Sequence, residues 1–375
     1  MPGPTNQIGG HARPAASGAR ASDRSDRSDR SGGSGGFDGL DRSAGSPGDA
    51  LSLERAAAYA IASTKGVGPS AFERICGINA SRGRDFARLA RLSTDRTARE
   101  YRLSPSQAAA IREALRAGGA ASGLRDIAAR LAALERAGAR LSLKHAKGYP
   151  AELRDALGPR APSYLFARGD TSLIGHPCVA VVGTRRPSRW GVEGARAASR
   201  AVVAAGQAVV SGYAEGVDKA AHAAALEAEG RTILVLSYGI SHYRPTKELE
   251  EAERQGRAVV LSQFPPEQVF STGTAMARNL VVAALAGRVV AIESGRRGGT
   301  METARMALGL LRPLFALRKP SLPATPTGNR FLLSHGAHPL FAAFEKSALR
   351  FDGSLLFCPI LPPPISGQLH LFPSR

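Results

Sequence analysis

Cysteine is scarce in this chain: Cys76, Cys178 and Cys358 are the three among 375 residues, and they stand far apart. That scatter leaves no disulfide framework and no paired-cysteine metal site, and it suits a reducing compartment. Long apolar runs are missing as well. Nowhere do about 18 apolar residues follow one another, so no membrane-spanning helix is expected, and the N-terminus carries no signal-peptide apolar segment. A cytoplasmic protein with no membrane partner is the expectation. The phosphate loop Gly-x-x-x-x-Gly-Lys-Ser/Thr does not occur, and neither does His-Glu-x-x-His. P-loop nucleotide hydrolysis and zincin chemistry are thereby excluded. Lysine is limited to seven positions, so the formal charge of +19 is carried mainly by arginine. A balance this basic points to a polyanionic partner, with a merely solvated basic surface as the competing reading. Residues 1–50 hold six Arg and six Asp, so the excess lies in the remainder.

What is present is a repeated unit between Cys178 and Leu317: a short apolar run, a small-residue loop, then a helical pattern. Runs at 178–182, 208–210, 232–236, 258–261, 289–292 and 314–317 are continuously apolar and not alternating, as strands buried on both faces are. Strands separated by helices pair in parallel with right-handed crossovers, so the expected fold class is α/β, a doubly wound, mostly parallel Rossmann-like sheet. One added strand is expected at 164–167, and Gly328–Leu333 is expected to pack back on the sheet.

Around this centre the chain divides by composition. Residues 1–50, rich in Gly, Ser and Asp-Arg repeats, are expected to be a disordered tail. Residues 51–141 read as a small all-helical domain, in which Lys65-Gly66-Val67-Gly68-Pro69 has the spacing of a helix-hairpin-helix element or of a plain helical hairpin. Residues 142–342 form the sheet domain, and 343–375 a Pro-rich C-terminal tail without a further compact domain.

Ligands of such sheets sit beyond the carboxyl ends of the strands. A nicotinamide dinucleotide needs Gly-x-Gly-x-x-Gly there and an acidic residue ending the second strand; this chain offers neither, and no cofactor is expected. It offers instead Gly183, Thr184, Arg185, Arg186 and Ser188 after the first strand of the repeat and Ser211 with Gly212 after the second. Arg278-Asn279 is expected to open a helix, and Gly298, Gly299 and Thr300 follow Arg296-Arg297. Hydroxyls, backbone N–H groups and guanidinium forks suit phosphate, so an anion groove is expected, with Tyr213, Phe264, Tyr238 and Trp190 as candidates to stack bases or to fill core. Asp218 and His222 have the four-residue spacing of a metal-ligand pair, but no third ligand is in sight, and an N-cap role for Asp218 is preferred. No metal site and no catalytic residue is assigned. Glu293 and Glu302 are the carboxylate pair available for acid–base work.

Taken in order, Tyr149-Pro150 through Tyr164 to Arg168-Gly169-Asp170, the stretch from Ala180 to Ser188, the stretch from Val210 to Asp218 with Ala221-His222, and Phe264-Pro265-Pro266 with Arg278-Asn279, Gly299-Thr300 and Thr303-Ala304-Arg305 resemble the DNA-processing protein A family, also called Smf. The resemblance implies a non-enzymatic single-stranded DNA-binding protein, a homodimer through the Rossmann-like domain, and loading of a RecA-type recombinase during DNA uptake. The chain departs from the family pattern at Glu215, where a basic residue is usual, and at Gln263, where an acidic one is. Gly298-Gly299-Thr300 with Glu302 is also similar to the glycine-rich motif of lysine-decarboxylase-like phosphoribohydrolases. That likeness implies a nucleotide-binding sensor or nucleotide hydrolase instead.

Overall fold

The computed structural model describes residues 47–116, 122–345, 348–351 and 357. The tail expected at 1–50 lies outside the described residues apart from the first turn of helix α1, and so does most of 352–375. Five helices come first: α1 (Pro47–Ser63), α2 (Pro69–Arg82), α3 (Thr94–Tyr101), α4 (Pro105–Arg116) and α5 (Ser122–Arg136). Strand β1 (Ala139–Leu143), helix α6 (Ala151–Leu157) and strand β2 (Tyr164–Gly169) follow. The repeated units are β3 (Cys178–Val182), α7 (Arg189–Ala204), β4 (Ala208–Ser211), α8 (Val217–Glu227), β5 (Thr232–Val235), α9 (Lys247–Arg254), β6 (Ala258–Ser262), α10 (Thr272–Leu285), β7 (Arg288–Ala291), α11 (Gly299–Gly309) and β8 (Leu314–Arg318). Helix α12 (Thr327–Ser334) and strands β9 (His338–Glu345) and β10 (Ala348–Phe351) complete the described chain.

All ten strands join one sheet in the order β1-β2-β6-β5-β4-β3-β7-β8-β9-β10. The pairs from β6 across to β9 are parallel, while β1–β2, β2–β6 and β9–β10 are antiparallel. The six strands of the repeat and the added strand β2 are therefore as expected, and the structure adds β1, β9 and β10, which the apolar-run criterion passes over. β1 alternates buried Ala139, Leu141 and Leu143 with the less buried Arg140 and Ser142, so it has no continuous run to notice. In β9 a proline, Pro339, sits beside Ala316 of β8, and proline argues against an interior strand.

Within each central strand successive residues feed opposite layers. Val179 and Val181 of β3 pack with α7 and α8, whereas Cys178, Ala180 and Val182 pack with α6, α10, α11 and α12. The helices α1–α5 do not stand off from the sheet. Their apolar residues share one cluster with β1, β2, Leu234 of β5 and Val260 of β6, and Tyr59 meets Tyr164 and Phe166 edge-on at 5.1 and 5.6 Å.

Two buried polar groups fasten the sheet, one at the carboxyl ends of β7 and β8 and one at the amino ends of β4 and β5. Asn329 on α12, fully buried, donates through Nδ2 to the carbonyls of Ala291, Ile292 and Leu317 and accepts from Ser294 N at 2.9 Å. His222 on α8 meets the Thr232 hydroxyl at 2.7 Å, and that hydroxyl donates to Val209 O at 2.9 Å. Thr232 has thus spent its proton, so His222 Nδ1 is the donor of that bond. Burial and the nearby Arg278 charge push the imidazole down to about 3.

Asn329→Ala removes these bonds and takes the acceptor from the buried Ser294 N–H, and is expected to cost about 2–4 kcal/mol of unfolding free energy in a urea titration. The unfolded chain takes up a proton on His222 that the folded state refuses. Its contribution to stability is complete above about pH 6.5 and is lost as pH falls toward 3. Between pH 7.5 and 5 this amounts to on the order of 2 kcal/mol. The acid side of the stability profile should accordingly be shallower in His222→Gln than in the parent chain.

Candidate nucleic-acid interface

After β3 the chain crosses by α7 to β4 on one side, and only later, through α10, does it reach β7 on the other side of β3. The loops leaving the carboxyl ends of β3 and β7 diverge there, as at the switch point of any doubly wound sheet, and leave a crevice. An open cavity of about 430 Å³ fills it, the size of a site for one small ligand or one unit of a polymer. Val182, Gly183, Thr184 and Arg185 form one wall, Gly212, Ala214 and Asp218 the floor, and Gly295, Arg297, Gly298, Gly299, Thr300 and Thr303 the opposite wall. Phe270, Thr272, Met276, Arg278 and Asn279 close the third side.

The glycines are there because backbone must approach backbone or side chain. A Cβ on Gly183 would lie 2.5 Å from Val217 Cγ2, and one on Gly212 would lie 1.4 Å from Arg278 Nη1. The loop after β4 turns through Tyr213 and Gly216, both at positive φ (53° and 88°). Asp218 holds it: the buried carboxylate accepts from Gly212 N at 3.1 Å and Ala214 N at 3.4 Å. The N-cap of α8 is Gly216, so Asp218 secures the preceding loop and not the helix end expected of it. Burial raises the Asp218 carboxyl above its ordinary value, partly offset by Arg278 and the loop N–H groups. Asp218 is engaged by that loop, and His222 Nδ1 by Thr232. Among the described residues no group of three or more His, Cys, Asp or Glu has metal-binding spacing.

Nine of the twelve residues expected at the anion groove line this cavity: Gly183, Thr184, Arg185, Gly212, Arg278, Asn279, Gly298, Gly299 and Thr300. Their parts differ from one another. Arg278 is 4% exposed and donates Nη1 to Val235 O at 3.0 Å, beneath Gly212 and in the field of Asp218. It is a floor cation whose charge Asp218 offsets, so the net positive charge facing outward is that of the exposed Arg185 and Arg297. Arg278 and Asn279 lie in the middle of α10 and do not open it as expected, and Asn279 donates to Gly299 O at 3.3 Å, tying α10 to the start of α11. Three expected residues lie elsewhere. Ser211 is fully buried and gives its hydroxyl to Val181 O at 2.6 Å, which joins β4 to β3 beneath the floor. Ser188 caps α7 by accepting from Gly191 N, and donates to Glu293 Oε2 at 3.0 Å. Arg186, although exposed, does not border the cavity.

Two helices begin at the cavity. Ser271 caps α10 in a reciprocal capping box with Thr274, and α11 starts at Gly298, whose φ of 108° aims the following N–H groups. The first N–H groups of a helix have no intrahelical partner, and the dipole there favours an anion. Exposed Phe270 stands at the rim, 47% accessible, with the Arg185 guanidinium 5.1 Å from its ring centroid. No sequence pattern singles Phe270 out; its one signal is its position directly before the Ser271 cap. The four aromatics proposed from sequence do not line the cavity. Trp190 is buried and donates Nε1 to Ala342 O at 3.2 Å, and Tyr213 and Tyr238 pack against the helical cluster. Glu215 is neutralised by an ion pair to Lys219 and is not a cavity wall. Glu293 is held by Ser188 and Glu302 by Arg305 at 3.1 Å, and neither faces the cavity.

The chain is similar to several known proteins. DNA processing protein DprA of Bacillus subtilis is 31% identical over 199 residues, 52% of this chain and 66% of that protein. Putative DNA processing protein DprA of Mycobacterium tuberculosis is 34% identical over 180 residues, 47% of this chain and 46% of its own length. The chain thus spans between about half and two thirds of these relatives. The crystal structure of DprA from Streptococcus pneumoniae superposes with a TM-score of 0.56 at 22% identity, covering 78% of this chain and 93% of that one, a likeness of fold. The sequence model for DNA recombination-mediator protein A matches residues 140–348, from β1 through β9 to the first residue of β10. With that match taking in more than half of its length, the chain belongs to the DNA recombination-mediator protein A family.

Proposed function

We propose that the crevice binds the sugar–phosphate backbone of single-stranded DNA without performing chemistry on it. The observation that carries this reading is the pairing of two helix starts with two outward arginines, Arg185 and Arg297, around a cavity about one nucleotide in size. N–H groups and guanidinium forks serve phosphate, and Phe270 at the rim supplies a ring face for a base, which a flexible single strand can turn outward. The names of the relatives, all of them DNA-processing proteins or Smf, agree with that chemistry. The hydrolase reading loses ground because Glu302 is turned to Arg305 and away from the cavity. The family resemblance extends the reading to a homodimer that hands the strand to a RecA-type recombinase.

Fluorescence anisotropy with labelled oligo-dT tests the core of the proposal. Arg185→Ala with Arg297→Ala should weaken binding and reduce the slope of log K against log salt by roughly 0.7 for each phosphate no longer neutralised. Phe270→Ala should cost about 1–3 kcal/mol if one base stacks there. Affinity equal to the parent chain in both variants would remove the assignment. Incubation with nucleoside monophosphates should release no free base, and release abolished by Glu302→Gln would restore the hydrolase reading. For the extended reading, sedimentation should show a dimer, and strand exchange by a RecA-type protein on coated DNA should be accelerated.

A further inference from the structure

The helical region carries a second concentration of positive charge that the crevice does not use. Arg82 at the end of α2 and Arg96, Arg99 and Arg102 on and just after α3 line one open hollow, whose single carboxylate is Glu100. Three guanidinium groups converge on that carboxylate: Arg96 at 2.5 Å, Arg84 at 2.7 Å and Arg88 at 3.6 Å. Arg82, Arg99 and Arg102 are exposed and have no carboxylate within ion-pair distance among the described residues. Four arginines thus line the hollow with one acid, and like charges gathered on one open surface favour the entry of an anion.

The backbone points the same way. α2 ends on Gly83 in the left-handed region, φ 57°, where glycine is at ease. α3 ends the same way on Arg102 at φ 52°, a conformation that strains any residue with a Cβ. That turn is held by Arg74, whose Nη1 donates to Arg102 O at 2.5 Å. A side chain is therefore kept where glycine would be easier, and the side chain kept is one more guanidinium on the hollow.

The lining also discriminates between partners. It contains no apolar side chain. Protein partners of useful affinity need an aromatic or aliphatic anchor in a buried pocket, whereas phosphate binding needs only charge and donors on an open surface. We propose that the arginine hollow at Arg82, Arg99 and Arg102 is a second phosphodiester-binding surface, which engages a nucleic-acid backbone separately from the crevice.

The experiment uses the full chain and labelled oligo-dT over a salt series, with the Arg185→Ala/Arg297→Ala variant as background so that the two sites report apart. In that background salt-sensitive binding persists. Adding Arg82→Ala, Arg99→Ala and Arg102→Ala lowers affinity at low salt at least about tenfold and flattens the log K–log salt slope by roughly 2, three phosphates at about 0.7 each. Glu100→Gln, which frees three guanidinium groups, tightens binding. The proposal is overturned if the arginine triple variant binds with the affinity and slope of its background. It is equally overturned if polyglutamate binds in the same arginine-dependent way more tightly than oligo-dT, which would make the partner an acidic protein. Displacement by inorganic phosphate at matched ionic strength, as effective per phosphate as oligo-dT, would reduce the hollow to a free-phosphate site. Loss of binding in the crevice variant alone, with the arginine triple variant unaltered, would leave the crevice reading standing and this one refuted.

Discussion

A buried guanidinium sets the terms for the crevice. Arg278 lies under the loop that follows β4, bonded to the Val235 carbonyl at the end of β5 and facing the charge of Asp218. A cation in that position is costly without a nearby opposite charge, and the Asp218 carboxyl supplies a Coulombic attraction that offsets part of that cost. From this pair much of the local geometry follows. Position 212 can hold nothing larger than glycine because Arg278 occupies the space of a side chain, and the Asp218 carboxylate draws the N–H groups of residues 212 and 214 inward. The loop then exposes little but backbone to the cavity. Charge that would repel or trap a ligand is cancelled below the surface, and the outward field is left to Arg185 and Arg297.

The arrangement of the sheet was readable in the chain because its central strands are apolar at every position, and such runs have few other uses. Gly183, Thr184, Gly298 and Gly299 were readable for a related reason: small residues after a buried strand put backbone where a helix begins. Burial itself was not readable. Ser211 and Arg185 are both polar loop residues in the sequence, yet one is sealed between β3 and β4 and the other stands in solvent. Arg278 looks from its type like a surface residue, and only the packing of α10 over β5 turns it inward. Phe270 escaped notice because a lone aromatic in a loop has no period to betray which way it faces. Of the outer strands β2 was readable, whereas β1 was not because it alternates, and β9 was not because it contains a proline.

The helical segment and the sheet are less separate than their compositions suggest. Tyr59, Tyr164 and Phe166 meet at a seam of edge-on rings, and Arg55 reaches from α1 to the Leu141 carbonyl of β1 at 2.7 Å. The first helices cover a face of β1, β2, β5 and β6 that would otherwise be bare, so a boundary drawn at the change of composition passes through a common core. Arginines on the outer side of those helices are thereby mounted on a rigid base.

The one tryptophan of the chain has a further use. Trp190 is enclosed at the start of α7, its indole N–H on the Ala342 carbonyl of β9 and the Lys319 ammonium 5.1 Å from its ring. It lies away from the crevice wall and at the join between the first repeated unit and the last parallel strand. Its emission is therefore a native optical gauge of whether β9 is docked, blue when the join is closed and red when water enters, with no dye attached and little interference from whatever occupies the crevice.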